Sequence, residues 1–178
     1  DGSADDAYQG RIWWAPNSMH FAAMRLKPGL RRSIHIIESA PRDSIHSRLL
    51  TLPYAKPGDR IDQQRPVLFS FDQDWKPRII ENDDFDNPYS TRDLAWKPDS
   101  RSFSFLYNER GHQRLSLITV DAESAKPKLT IDEKSDTFIC YSSKSYLRRL
   151  DATREIIWMS ERSGWNHLYL INDHDGSV

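Results

Sequence analysis

The octet WAPNSMHF at residues 14–21 returns as WKPDSRSF at residues 96–103. The two copies share Trp, Pro, Ser and Phe at the same spacing, and Asn17 of the first corresponds to Asp99 of the second. Proline cannot donate to a β-ladder, whereas Asn, Asp and Ser side chains hydrogen-bond to the backbone of turns. Each octet is therefore predicted to be a turn that enters a strand, with its Trp between neighbouring packing units and its Phe in the core.

The repeat continues beyond the octets. Gly29 falls opposite Gly111 and Arg32 opposite Arg114, so each half is predicted to be strand, turn, strand. Apolar and polar residues alternate in the strand after the second octet, which is the pattern of a half-buried strand. A third strand-turn-strand unit is predicted at residues 155–173, in a different register.

Further short segments have the composition of strands and are separated by turn sequences rich in Pro, Gly, Asp and Asn. These segments are residues 47–55, 66–72, 76–81, 126–132, 138–142 and 146–151. No amphipathic helix of ten or more residues is evident, and the 10 prolines would interrupt most such helices.

The predicted fold class is all-β: a partial β-propeller of about four blades, each with four antiparallel strands. Trp96 lies 82 positions after Trp14, which is twice the length of a blade of about 41 residues. A β-sandwich with an accidental repeat is the alternative, but several matched positions in one register favour the propeller. Residues 1–12 are expected to be a polar leader and residues 13–178 the propeller segment of a longer chain, since the last residues resemble a hairpin turn before a further strand.

Composition excludes several classes of function. The chain of 178 residues has 29% charged residues and a net charge of −1, so it has no basic excess for nucleic-acid binding. No apolar run approaches the roughly 18 residues of a membrane span. Cys140 is the only cysteine, so neither an internal disulfide nor a cysteine-rich metal site is expected.

No catalytic residue, metal site or cofactor is predicted within the chain. A serine nucleophile elbow, G-x-S-x-G, is absent from the sequence. The acidic stretch ENDDFDNP at residues 81–88 lacks the spacing and glycine of a calcium loop and is interpreted as a solvated loop between blades. His112 and His167 have no second His at metal-binding spacing and are expected to be structural or exposed.

Three other features are expected to be structural. Trp165, beside a turn, is interpreted as a residue that packs between blades rather than as part of a binding face. The pairs Arg31-Arg32 and Arg148-Arg149 are expected to partner surface carboxylates rather than phosphates, because the net charge is near zero.

Several segments resemble the propeller of the dipeptidyl peptidase IV family of serine peptidases, which belongs to the prolyl oligopeptidase superfamily. They are WWAPNSMHFAAMR, YAKPGD with the following RPVLFSFD, FLYNERGHQ, and IIWMSERSGWNHLYLIND, and together they span nearly the whole chain from residue 13. The resemblance implies that this chain shapes access for peptides and docks an α/β-hydrolase domain that carries the Ser, His and Asp. It also implies a periplasmic or secreted protein.

In that family, a pair of acidic residues before the first of these segments holds the free amino terminus of the substrate. The resemblance transfers this role to Asp5 and Asp6, although the family has Glu there; a solvated leader is the alternative. A peptide is therefore the expected partner, through the hydrolase domain, and the open edges of the blades are expected to self-associate. A stand-alone propeller that acts as a protein-interaction scaffold is the alternative function.

Overall fold

The computed structural model describes residues 7–80, 82 and 85–178, which form thirteen β-strands. The strands are β1 (Ala7–Trp14), β2 (His20–Lys27), β3 (Ser33–Glu38), β4 (Arg48–Pro53), β5 (Gln63–Ser70), β6 (Arg78–Ile79), β7 (Pro88–Trp96), β8 (Ser102–Glu109), β9 (Arg114–Asp121), β10 (Pro127–Lys134), β11 (Leu147–Leu150), β12 (Glu155–Ser160) and β13 (His167–Asn172). A single turn of 3₁₀-helix covers Phe71–Gln73. Within these residues, no helix has the length and apolar character needed to cross a membrane.

The strands form four antiparallel sheets, which confirms the all-β propeller fold. Blade 1 has the order β1-β2-β5-β6, blade 2 has the order β7-β8-β9-β10, and blade 3 has the order β11-β12-β13. The fourth sheet, β3-β4, is a separate two-stranded hairpin. Two of the described sheets thus have the four strands expected of each blade, and the third has three.

The β3-β4 hairpin explains why the spacing between the two octets does not equal the length of two blades. It is inserted between β2 and β5, so it lengthens blade 1 and places the two octets in adjacent blades rather than two blades apart. The predicted match of Arg32 with Arg114 is therefore wrong, because Arg114 begins β9 whereas Arg32 precedes β3 of the inserted hairpin. Gly29 and Gly111 do lie at corresponding places, just after the second strands of their blades, but their surroundings differ. A Cβ at Gly29 would overlap the backbone of Arg60 and Ile61, whereas Gly111 has a φ of +102° in an open turn.

Two strands were not predicted from the sequence, and one predicted strand is absent. β1 begins at Ala7, so residues 7–12 of the expected leader belong to a strand that pairs with β2. β7 begins at Pro88, the last residue of the stretch expected to be a loop, and continues through residues for which the sequence predicts no strand. Residues 138–142 form loop and turn instead of a strand. Both missed strands are the first strands of their blades.

The apolar core lies between the blades, in two clusters. Alternate residues of β8 contribute to each, as period-two alternation predicts: Phe103, Phe105 and Tyr107 join the blade 1 side, and Leu106 joins the blade 3 side. The first cluster also contains Ala22, Met24, Leu68, Ile80, Phe85, Leu94, Ile118 and Val120. The second also contains Leu115, Leu117, Ile131, Ile156, Trp158 and Ile171. Blade 2 is thus covered on both faces.

Candidate functional site

β1 and β7 are each interrupted by a β-bulge. In β1 the pairing with β2 shifts between Gln9 and Ile12, and Gly10 has a φ of +69°. In β7 the pairing with β8 shifts between Arg92 and Ala95, and Asp93 has a φ of +55°. Bulges leave residues outside the ladder and redirect their side chains, and they are enriched beside active sites.

The first strands of all three blades line one cavity of about 500 Å³. Propeller blades surround a central channel. Because all three blades contribute to the lining of this cavity, we identify the cavity as part of that channel. Blade 1 contributes Arg11 and Trp13 of β1, and blade 2 contributes Arg92 to Ala95 of β7 together with Leu106 and Leu115. Blade 3 and the residues just before it contribute Ser145, Tyr146, Leu147, Arg149 and Trp158.

Three arginines and one aspartate give the cavity a net positive charge. The Arg149 guanidinium donates to Ser104 Oγ and to the carbonyl of Asp93, both at 2.9 Å, so it fastens blade 3 to the β7 bulge. Burial lowers the pKa of this guanidinium, against the opposing effect of nearby aspartates. Arg92 donates to the carbonyl of Tyr141 at 3.3 Å, and Arg11 lies 5.8 Å from the centroid of the Trp13 ring.

The repeated octets hold blades 1 and 2 together. The Trp96 Nε1 group donates to the carbonyl of Trp13 at 2.8 Å. The backbone N–H of Asn17 in the first octet donates to the Ser100 hydroxyl of the second at 3.0 Å. His20 stacks on the Trp96 ring with a centroid separation of 6.0 Å. The two copies of the motif are therefore in direct contact.

Residues 8–177 match the family model described as the dipeptidyl peptidase IV (DPP IV) N-terminal region. The chain belongs to this family. The match covers all three blades and the inserted hairpin, and it confirms the family resemblance seen in the sequence. No curated protein sequence matches the chain.

Solved structures of related proteins have the same fold. A Bacteroides ovatus protein classed as a dipeptidyl aminopeptidase IV superposes with a TM-score of 0.68 at 16% identity, over 99% of this chain and 26% of that one. Dipeptidyl peptidase 4 of Porphyromonas gingivalis gives a TM-score of 0.65 at 16% identity, over 96% and 23%. The β-propeller domain of the Pyrococcus furiosus Trilobed protease gives 0.53 at 11% identity, over 99% and 42%. This DPP IV-family chain thus spans about a quarter of the length of the first two proteins.

The predicted amine-binding pair, Asp5 and Asp6, lies outside the described residues. So do three residues of the acidic stretch 81–88, whose Phe85 belongs to the buried core between blades 1 and 2. In the same stretch the carbonyl of Asp86 accepts from Arg65 at 2.8 Å. Among the residues that the structure describes, no group of three or more His, Cys, Asp or Glu side chains could hold a metal ion.

His112 has a structural role, as predicted. Its ring stacks on Tyr141 with a centroid separation of 4.3 Å and meets Tyr89 edge-on at 4.5 Å. Its Nδ1 is paired with Asn108 Oδ1 at 3.1 Å, and burial lowers the pKa of the imidazole. His167 is exposed at the start of β13. Trp165 packs against no other blade among the described residues, where its side chain is 77% exposed.

The two arginine pairs behave differently. Arg31 and Arg32 form the predicted surface ion pairs, with Asp62 at 3.2 Å and Asp59 at 2.8 Å. Arg149 instead lies in the channel wall and binds a backbone carbonyl and a serine. This role is not predictable from the sequence, because a basic pair on an exposed strand edge and one in a channel wall have the same local pattern.

Proposed function

We propose that this chain is the non-catalytic propeller segment of a dipeptidyl-peptidase-like serine exopeptidase, in which it gates peptide access and docks an α/β-hydrolase domain. The observation that carries the proposal is the match of residues 8–177 to the DPP IV N-terminal region. The chain covers only 26% and 23% of the two dipeptidyl peptidase structures, which leaves room for a hydrolase domain elsewhere in such a protein.

The proposed roles of the propeller and of the hydrolase domain follow from the residues that serine peptidase chemistry requires. Acyl transfer by a serine peptidase requires a nucleophilic Ser, a His base and an orienting Asp, together with an oxyanion hole. The sequence of this chain has no nucleophile elbow, so the chemistry is assigned to the hydrolase domain. The contribution of the propeller is then its channel wall, formed by β1, β7 and β11, along which a narrow peptide could pass.

Asp5 and Asp6 are proposed to bind the free amino terminus of the substrate. They immediately precede β1, a strand whose Arg11 and Trp13 line the channel cavity. A carboxylate pair would form charge-assisted hydrogen bonds with an ammonium group and would not form them with a blocked amino terminus. Such a pair would restrict cleavage to peptides that have a free amino terminus.

A chromogenic dipeptide anilide assay tests this proposal. The full product of the gene that encodes this chain should turn over the substrate and be inactivated by a serine-directed inhibitor, whereas the 178-residue chain alone should be inactive. The double substitution Asp5→Asn and Asp6→Asn in the full product should raise KM, and the exposed Asp43→Asn should leave it unchanged. Inactivity of the full product would overturn the peptidase assignment and favour the scaffold.

We also propose that the isolated chain self-associates through open blade edges. β13 pairs with β12 along one side, and exposed Leu168 and Leu170 lie on it. Unpaired edges with apolar side chains favour strand addition from another copy. Light scattering should show a mass that rises with protein concentration. A monodisperse monomer at high concentration would contradict this.

A further inference from the structure

We propose that the channel cavity bounded by β1, β7 and β11 binds the carboxylate of a peptide, at its free carboxyl terminus. This inference rests on the proposed function, because it takes the ligand in the channel to be a peptide. It adds a second recognition site, which is separate from the amine-binding role proposed for Asp5 and Asp6.

The charge of the lining favours an anion. Arg11, Arg92 and Arg149 line the cavity together with a single carboxylate, that of Asp93. Arginine presents a planar fork of donors that matches the two oxygens of a carboxylate, and such charge-assisted bonds are roughly twice as strong as neutral ones. The hydroxyl-bearing residues Ser145 and Tyr146 line the same cavity and could supply further donors.

The bulges give this cationic lining a structural basis. Gly10 and Asp93 both have positive φ values, and the bulges that contain them lie beside Arg11 and Arg92. β1 and β7, the first strands of two adjacent blades, thus have bulges at corresponding places. Bulges redirect the side chains beside them. The Arg149 guanidinium donates a hydrogen bond to the carbonyl of Asp93 at 2.9 Å, and this bond holds the β7 bulge in position. The arginines therefore come from three different blades to one cavity.

The remaining lining suits a peptide better than a free inorganic anion. Trp13, Leu94, Leu106, Leu115 and Trp158 give the cavity an apolar side. A ligand pocket typically combines such apolar walls with a few placed polar groups. The cavity volume of about 500 Å³ lies within the range of small-ligand pockets. An apolar side chain next to the terminal carboxylate would contact these walls.

Tryptophan fluorescence of the 178-residue chain provides the test, because Trp13 and Trp158 both line the cavity. Trialanine with a free carboxyl terminus is titrated at low salt, in parallel with trialanine amide and with inorganic phosphate. The free acid should bind about tenfold more tightly than the amide, because the amide removes the charge-assisted bonds. Equal responses to acid and amide would overturn the proposal. Binding of phosphate with no binding of trialanine would overturn it as well.

Variants assign the response to the cavity. Arg11→Gln and Arg92→Gln should each weaken binding of the free acid several-fold without affecting the amide, whereas Arg31→Gln, on a surface arginine paired with Asp62, should leave both unchanged. If Arg11→Gln and Arg92→Gln retain the unfolding temperature and the affinity of the wild type, the proposal is overturned. Dipeptide anilides have no carboxylate, so the peptidase assay tests the proposed function independently of this site.

Discussion

The two octets have the same turn but different surroundings. Ser18 and Ser100 have φ values of 60° and 59°. Asn17 Oδ1 accepts from the N–H of Met19 at 3.0 Å, and Asp99 Oδ1 accepts from that of Arg101 at 3.0 Å. Local sequence therefore determines the turn, through the side-chain bonds that Asn and Asp make to the backbone two residues later.

Burial of the octets, in contrast, depends on the neighbouring blade. Trp14 is 53% exposed and contacts aromatic residues of its own blade, Phe21 and Trp75. Trp96 is half-buried and bonds to the backbone of blade 1, and Phe103 after it is completely buried. The second octet thus contributes to stability through contacts with the neighbouring blade 1. In the first octet, Trp14 instead contacts residues of its own blade.

Truncation of the two phenylalanines should show the largest difference. Phe103→Ala removes a side chain with 0% exposure and is expected to lower the free energy of unfolding by about 4 kcal/mol. Phe21→Ala removes a half-buried ring that stacks on Phe69 at 4.6 Å, and about 2 kcal/mol is expected. Urea unfolding measures both. Equal losses would mean that blade 1 does not cover blade 2.

Truncation of the two tryptophans should show the next difference. Trp96→Ala is expected to cost about 3 kcal/mol, because it loses both the interblade packing and the bond to the Trp13 carbonyl. Trp14→Ala, at an exposed position, is expected to cost about 1 kcal/mol. Thermal unfolding of both variants compares them, and a larger cost for Trp14 would reverse the assignment of which octet is covered.

Ser100→Ala and Ser18→Ala form a pair with the same backbone conformation. Ser100→Ala removes the acceptor for the N–H of Asn17 and is expected to cost about 1 kcal/mol. Ser18→Ala is expected to change the free energy of unfolding by less than about 0.5 kcal/mol. Chemical denaturation distinguishes them, and indistinguishable midpoints would argue against the interblade bond.

The smallest effect concerns the turn between β9 and β10 in blade 2. The Ser124 hydroxyl donates to Asp121 at 2.7 Å and lowers the pKa of that carboxyl. Because the folded pKa lies below the unfolded one, this contribution is present above the unfolded pKa and is lost as the pH falls through the folded pKa.

An NMR titration checks this, and blade 3 offers the control. Ser124→Ala should raise the pKa of Asp121 towards its ordinary value without affecting Asp175, whose own pKa is lowered by a bond from Ser177. Ser177→Ala should do the reverse. A shift of both carboxyls in either variant would show that the effect is not local.

The two strands that the sequence does not predict, β1 and β7, are two of the three first strands that line the channel cavity. β8 and β9 are recognisable as strands because both are rich in apolar residues and are buried over most of their length between neighbouring blades. β1 and β7 carry bulges at Gly10 and Asp93 that break the period of two, and one side of each faces a polar cavity. Alternation of apolar and polar residues therefore does not reveal these strands, nor that Arg11 and Arg92 line the same cavity.

The interpretation of the octet spacing as two blade lengths was wrong for a different reason. The distance between two repeats does not reveal whether the intervening residues form a blade or an insertion. β3 and β4 have ordinary strand composition, and only the pairing of β2 with β5 shows that they lie outside blade 1. Trp165 illustrates the same limit, since local sequence does not determine whether a neighbour covers an aromatic residue.

Hydrogen exchange at the backbone amide of Asn17 tests most directly whether the two octets meet. This amide donates to Ser100 Oγ of the adjacent blade, whereas the amide of Met19 donates to Asn17 Oδ1 within its own turn. NMR should show a protected Asn17 amide in the wild type, with protection lost in Ser100→Ala and kept in Ser18→Ala. An Asn17 amide in the wild type that exchanges as fast as in a free peptide would contradict the account.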